Sequence, residues 1–359
     1  MPAPSTIRSL TAIRLDIPLH MPFGISGGAQ DIARNMLVTV ELADGTHGYG
    51  EAAPFQAYNG ETQALAQAAI EAATSTVEGA DVREWRRIAG ALRSAIGPVG
   101  SAQCAIETAV LDALTRQAGM PLWAFFGGAG TSLETDMTVT TGTAAQAAAD
   151  ARAVVGRGIR TIKIKVGSGD LALDLARVQA IAEVAPKSPL ILDGNAAFSA
   201  AAALNLVAQL RARQINLALF EQPVKKDDWA GLAEVAQHAG APVAADETAA
   251  SAAAVLRIAH ARAAQVVNIK LMKCGIAEAL DIAAICRAAG IGLMIGGNVE
   301  STLAMTMSAC FAAGQGGFQF VDLDTPLFMA ATPFVGGMVY ESARLDLSGI
   351  TAGHGVTPR

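Results

Sequence analysis

The chain has 359 residues, is 52% hydrophobic and 16% charged, and has a mean hydropathy of +0.37, so it carries enough apolar material for a large core and is not a disordered chain. A net charge of −6, with no basic run and no stripe of interleaved aromatic and basic residues, excludes a polyanion such as nucleic acid as partner. Cys104, Cys274, Cys286 and Cys310 lie far apart without a CxxC spacing and read as free packing thiols of a reducing compartment. The N-terminus lacks a basic stretch leading into an apolar one, so a soluble cytoplasmic protein without membrane contact is expected.

In chain order, residues 7–18 and 36–42 read as strands, and the turn Ala43-Asp44-Gly45-Thr46 leads to a third at 47–51, which makes an antiparallel meander. Between the first two lies the glycine-rich stretch Pro22-Phe23-Gly24-Ile25-Ser26-Gly27-Gly28-Ala29-Gln30, readable as a flap over a site or as a plain long connection. From Glu61 to Phe126 apolar residues recur at threes and fours, as in Ile106, Ala109, Val110, Ala113 and Leu114, which predicts helices. Residues 1–128 are thus expected to form an α+β domain. Beyond Leu133, eight short apolar runs at 137–141, 161–166, 190–195, 217–223, 242–247, 265–270, 292–297 and 318–324 alternate with helical patterns. A repeat of about 25 residues is one βα unit, and eight parallel units predict an α/β closed barrel over residues 129–328. Residues 329–359 have no final helix pattern and are expected to return to the first domain.

The run Thr161-Ile162-Lys163-Ile164-Lys165-Val166 places two lysines on one face of an otherwise apolar strand. Ile191-Leu192-Asp193-Gly194-Asn195, Leu219-Phe220-Glu221-Gln222-Pro223 and Ala244-Ala245-Asp246-Glu247 each close an apolar strand with acid, so three carboxylates converge on the end of the barrel where barrel active sites lie. Clustered carboxylates repel unless a hard dication joins them, and oxygen ligands favour Mg2+, with Mn2+ able to substitute; inert ion pairs with the lysines are the alternative. None of His20, His47, His238, His260 and His354 falls on a strand end, which argues against a histidine metal site. Strand six ends in Val267-Asn268-Ile269-Lys270 and lies opposite strand two in an eight-strand ring, so Lys165 and Lys270 face each other across the mouth. A metal beside them would lower their pKa and let them act as bases. Lys225, Lys226 and Lys273 stand where helices begin and are assigned to solvent.

Taken together, Lys163-Ile-Lys165, Asp193-Gly-Asn195, Glu221-Gln-Pro223, Asp246-Glu247 and Lys270 resemble the enolase superfamily, in its muconate-lactonizing-enzyme-like subgroup, over nearly the whole chain. The resemblance implies a (β/α)7β modified TIM barrel with an α+β capping domain. It further implies Asp193, Glu221 and Asp246 as magnesium ligands, Lys165 and Lys270 as the acid/base pair and Lys163 as electrostatic support. Asn195, Glu247 and Glu300 are expected around them. Abstraction of an α-proton by one lysine, with the metal stabilising an enediolate, permits inversion when the second lysine returns a proton to the other face.

The eighth strand ends Phe320-Val321-Asp322-Leu323-Asp324-Thr325-Pro326. Its Asp-x-Asp is similar to that of the dipeptide epimerases, where the pair holds the α-ammonium group of the substrate, and Leu271-Met272-Lys273-Cys274-Gly275 is also similar to them. The glutamate-specific members carry a flap arginine where this chain has Gly28, which points to a dipeptide with a non-acidic second residue. Asn298, in Gly296-Gly297-Asn298, is expected to touch the substrate too. The expected activity is therefore an isomerase that epimerises a dipeptide, a small-molecule reaction that leaves a homo-oligomer open. Rivals are N-acylamino acid racemase or o-succinylbenzoate synthase, which need no ammonium pocket, a sugar-phosphate enzyme, whose anion the acids would repel, and a non-catalytic barrel binding protein.

Overall fold

The computed structural model describes residues 2–25 and 28–359. Strands β1 (Ile7–Ile25), β2 (Gly28–Leu42) and β3 (His47–Ala52) form an antiparallel sheet in that order, followed by helices α1 (Gln56–Asn59), α2 (Gln63–Val77), α3 (Trp85–Ile96), α4 (Gly100–Gln117) and α5 (Leu122–Phe125). Strand β3 runs directly against α4, which is possible because Gly48 and Gly50 have no side chain: a Cβ on either would collide with the carbonyl oxygens of Ala109 and Ala105. The stretch read as a loop over residues 22–30 is instead a continuation of the hairpin, with Phe23 paired to Gln30, Gly24 to Ala29 and Ile25 to Gly28 after a register shift beyond Pro18. Ser26 and Gly27 of that stretch lie outside the described residues.

After β4 (Ser132–Glu134) come the barrel units β5 (Met137–Val139), α6 (Ala144–Gly156), β6 (Ile162–Lys165), α7 (Leu171–Val184), β7 (Leu190–Asp193), α8 (Ala200–Ala212), β8 (Leu219–Glu221), α9 (Trp229–His238), β9 (Val243–Ala245), α10 (Ala252–Ala261), β10 (Val266–Ile269), α11 (Leu271–Ala289), β11 (Gly292–Ile295), α12 (Thr302–Gln315) and β12 (Phe318–Val321). All neighbouring strands from β5 to β12 pair in parallel and in chain order. The ring closes through Asp136 N donating to Val321 O at 2.9 Å and Leu323 N donating to Thr135 Oγ1 at 3.0 Å. Eight strands and seven intervening helices make the (β/α)7β barrel. Six of those helices start at a Ser, Thr or Asp whose side chain accepts a backbone N–H of the first turn: Thr143, Asp170, Ser199, Asp228, Ser251 and Ser301.

Inside the ring Ile191, Leu219, Ala244, Val266 and Met294 form a separate apolar cluster against which Phe320 packs. The tail adds β13 (Phe334–Gly336), β14 (Val339–Glu341), β15 (Arg344–Asp346) and β16 (Val356–Pro358). Buried His354 sits against the N-terminal elements, with Nε2 2.9 Å from Tyr49 O and 3.2 Å from Asp112 Oδ2, while Nδ1 accepts from Val356 N.

Buried acids of the first 120 residues also cap barrel helices. Glu51 accepts from Ser301 N at 3.0 Å, from Ala304 N at 3.3 Å and from the Ser301 hydroxyl, at the start of α12. Glu107 accepts from Ile276 N and Ala277 N at 2.5 and 2.8 Å, where α11 restarts after Gly275 turns to φ +79°.

Candidate active site

Because side chains alternate along a strand, the residue two positions beyond each member of the apolar cluster points to the same interior, one step nearer the mouth. For the five members these are Asp193, Glu221, Asp246, Asn268 and Gly296, and beyond Phe320 it is Asp322; all are buried. Lys163 Nζ stands among them, 3.1 Å from Asp193 Oδ2, 2.8 Å from Glu221 Oε2 and 2.6 Å from Asp322 Oδ2. Lys165 Nζ is 2.7 Å from Asp193 Oδ2, and from the other side Lys270 Nζ is 2.8 Å from Asp246 Oδ2. Lys273 is a correction to the sequence reading: it is not in solvent, and its Nζ donates to Asp246 Oδ1, Asp246 O and Asn268 O at 2.7–2.8 Å. The break at Gly275 leaves only a short turn after Lys270, and from it Lys273 reaches back over the strand end. Lys225 and Lys226 are exposed, as expected.

Neutral side chains fix the acids. Gln222, at φ +31°, accepts from Asp246 N and Thr248 N at 2.9 and 3.2 Å, and Asn268 Nδ2 donates to Glu221 Oε1 at 2.7 Å. Asn195 N donates to Asp193 Oδ1 at 3.0 Å. Burial opposes ionisation of Asp193 and Asp246, yet the lysines beside them hold both below the usual carboxylate range. Glu221 is pushed up to about 7 by burial and by Asp193, and Glu247 up to about 8 by burial and by Asp246. Burial works against charge on Lys163 and Lys270, but their carboxylate neighbours win and hold both above the usual lysine range.

The donor set suits a hard dication. Asp193, Glu221 and Asp246 sit on adjacent strand ends, offer only oxygen, and leave Glu221 Oε2 and Asp246 Oδ2 with no hydrogen bond beyond their lysine ion pairs. Ion pairing alone explains such a cluster poorly, since buried pairs seldom repay their desolvation. Among the described residues the three acids whose oxygens lie within 4.8 Å of one another are instead Asp136, Asp322 and Asp324, while Lys163 bridges Asp193 and Glu221 and Asp246 is held by Lys270 and Lys273.

Asp322 and Asp324, which follow β12, are both buried: Asp322 pairs with Lys163, and Asp324 Oδ2 accepts from Thr138 N at 2.7 Å. Asn298 uses its amide nitrogen on Ala53 O at 3.0 Å and leaves Oδ1 unbonded, whereas Glu300 accepts from Asn298 N at 2.6 Å and is pushed up to about 8 by burial. The cavity between these groups is lined by both lysine strands, Lys270, Asp322, Asp324 and Asn298, and is closed from above by Phe23, Phe55 and Tyr58. Gly28 does not line it; the residue lies exposed on the hairpin with φ +146°. Sequence reasoning missed the three aromatics, Thr138 and Lys273. Tyr58 donates to Asp246 Oδ1 at 3.1 Å, and its ring lies 4.4 Å from Lys270 Nζ.

Residues 146–359 match the enolase C-terminal domain-like family, and residues 7–127 match the mandelate racemase / muconate lactonizing enzyme N-terminal domain. The chain belongs to the mandelate racemase / muconate lactonizing enzyme family. Among relatives in this family, the aromatic dipeptide epimerase of Herpetosiphon aurantiacus is 53% identical over 98% of this chain and 99% of its own. The crystal structure of a mandelate racemase/muconate lactonizing enzyme from Roseiflexus sp. superposes with a TM-score of 0.96 at 62% identity, covering 100% of this chain and 99% of that one. The dipeptide epimerase of Enterococcus faecalis V583, solved with Mg and L-Leu-L-Tyr, superposes at 0.94 with 33% identity over 98% and 99% of the two chains.

Proposed function

We propose that this family member is a dipeptide epimerase that inverts the α-carbon of the C-terminal residue of a dipeptide whose second side chain is apolar or aromatic. The observation that carries the reading is the pair Lys165 and Lys270, on strands opposite in the ring, lining one cavity with the Asp322/Asp324 pair while each is ion-paired to a carboxylate of the Asp193, Glu221 and Asp246 set. The names of the Herpetosiphon and Enterococcus relatives support it.

Asp193, Glu221 and Asp246 would hold Mg2+, with Mn2+ able to substitute; when bound, the ion supplies Lewis-acid stabilisation of the charge that develops on the substrate carboxylate. Lys165 and Lys270, ion-paired to Asp193 and Asp246, would stand beside the ion as the two acid/base groups. One lysine then removes the α-proton and the other returns a proton to the opposite face. Lys163 stays among the acids as a fixed positive charge, and Asn195, Glu247 and Glu300 buttress them. Asp322 and Asp324 take the α-ammonium group, and Asn298 Oδ1 is placed to accept from the peptide. Phe23, Phe55 and Tyr58 cover the second side chain, and Gly28 contributes no cation that would favour an acidic one. We assign the fold's units as capping residues 1–128, barrel 129–328 and tail 329–359, and the free cysteines favour a cytoplasmic location. Among the described residues no helix is long and apolar enough to cross a membrane.

The test is deuterium incorporation at the α-carbon of L,L-dipeptides in deuterium oxide. L-Ala-L-Phe or L-Ala-L-Leu should exchange and invert, L-Ala-L-Glu should be poor, and excess chelator should abolish turnover. N-acetylation should lower kcat/KM by an equivalent of about 2 to 5 kcal/mol, the cost of leaving a desolvated charge unpaired. Preference for the acetylated substrate would move the enzyme to the racemase reading.

A further inference from the structure

One buried acid has no part in the reaction just described. Asp136 precedes β5, is 2% exposed, and neither of its carboxyl oxygens has a hydrogen-bond partner among the described residues. Its backbone is fixed on both sides of the barrel seam: Asp136 N donates to Val321 O at 2.9 Å, and the neighbouring Thr135 Oγ1 accepts from Leu323 N at 3.0 Å. The side chain therefore stays inside the ring, where an oxygen of Asp136, one of Asp322 and one of Asp324 all lie within 4.8 Å of each other.

We propose that Asp136 is a positioning residue of the ammonium pocket, a third carboxyl beneath Asp322 and Asp324 that sets how much negative charge the pocket presents to the α-ammonium group of the substrate. This rests on the reading of Asp322 and Asp324 as the ammonium site. A lone carboxylate buried without a donor costs several kcal/mol, so a purely structural position would be better filled by an apolar or neutral polar residue. The charged groups that act most strongly on Asp136 are Asp322 and Asp324 after β12, Lys163 on β6 and Glu221 on β8. Lys163 is the single cation among them and is already shared with Asp193, Glu221 and Asp322. With all four carboxyls ionised, negative charge would exceed positive charge until an ammonium group arrived.

Burial and then the two neighbouring aspartates push Asp136 well above the usual carboxylate range, and burial and then Asp322 push Asp324 up to about 7. The empty cluster keeps a proton near neutral pH and releases it when a cation enters, so substrate capture is linked to deprotonation. Removing Asp136 relieves the repulsion on Asp322 and Asp324, which then ionise at lower pH but attract the ammonium group with one charge fewer.

The experiment measures kcat and KM separately against pH, with L-Ala-L-Phe, for the wild-type enzyme, Asp136→Asn and Asp136→Ser. The wild type should show an acid limb in kcat/KM near neutral pH. In both variants that limb should move down by about one pH unit. Above the limb, KM should rise by about tenfold with kcat within about twofold of wild type. A KM and an acid limb like those of the wild type in either folded variant would overturn the proposal, and so would a loss confined to kcat or to thermal stability. Absence of wild-type turnover on any dipeptide would instead sink the functional reading itself.

Discussion

The barrel interior holds two layers only two residues apart. Ile191, Leu219, Ala244, Val266 and Met294, with Phe320 against them, make an apolar plug, and Asp193, Glu221, Asp246, Asn268 and Asp322, on five of the same strands, make a polar layer one step nearer the mouth. Apart from half-buried Phe320 both layers are buried, and both are set by the same alternation, so position in the pleat does not distinguish them. What differs is the kind of partner. The lower layer needs only neighbours of the right volume, while every charge in the upper one needs an opposite charge or a donor within about 3 Å. One layer holds the ring open at a fixed width, and the other carries reactive groups that the plug keeps in register.

The sharpest way to break that division is in the upper layer. Lys165→Met and Lys270→Met should each reduce epimerisation by roughly a thousandfold or more, with the fold retained by circular dichroism. Each variant should still exchange the α-proton of the one isomer that faces its surviving lysine. Wild-type rates in either would remove that lysine from the chemistry. In the lower layer Leu219→Ala should cost about 2 to 5 kcal/mol in denaturant unfolding, because it opens a cavity in a plug with no room to collapse. Its effect on kcat should be small beside that of the lysine variants; a larger effect would mean that the layers are not separable. The mildest test lies outside the barrel, at His354. Burial, partly offset by Asp112, holds its pKa below 6.5. The unfolded chain therefore takes up the proton first, so the stabilising contribution is complete above about pH 6.5 and is lost as pH falls through the lower folded value. His354→Gln should flatten this slope, with a difference in Tm of about 2 °C between pH 7.5 and 5.5. Parallel melting curves would show that the residue carries no linkage.

The polar layer was legible in the sequence because each βα unit ends an apolar run on a polar residue, and the period of two places that residue inside the ring. Lys163, Lys165, Asp193, Glu221, Asp246 and Lys270 follow from that rule alone. Lys273 does not, since it looks like a first-turn helix residue until the break at Gly275 is known. Asp136 stands just before its strand, and only the stagger at the seam brings it beside Asp322. Phe23, Phe55 and Tyr58 come from the first 60 residues, and nothing local in the sequence says that the hairpin and α1 descend over a cavity built more than 100 residues later. Residues 22–25 and 28–30 do not read as strand because proline and glycine interrupt the alternation, although Phe23 to Ile25 pair with Gly28 to Gln30.

Glu51 and Glu107 reach out of the N-terminal elements and grip the starts of α12 and the second half of α11. Sliding the two parts over one another would strand buried carboxylates and helix-end amides together, at a cost no single substrate contact could meet. Access for a dipeptide therefore falls to the hairpin residues around Phe23 and to the short α1, which among the described residues carry no such carboxylate anchor. Evolution of new side-chain preferences can accordingly proceed by exchanging a few residues there, without retuning the machinery below.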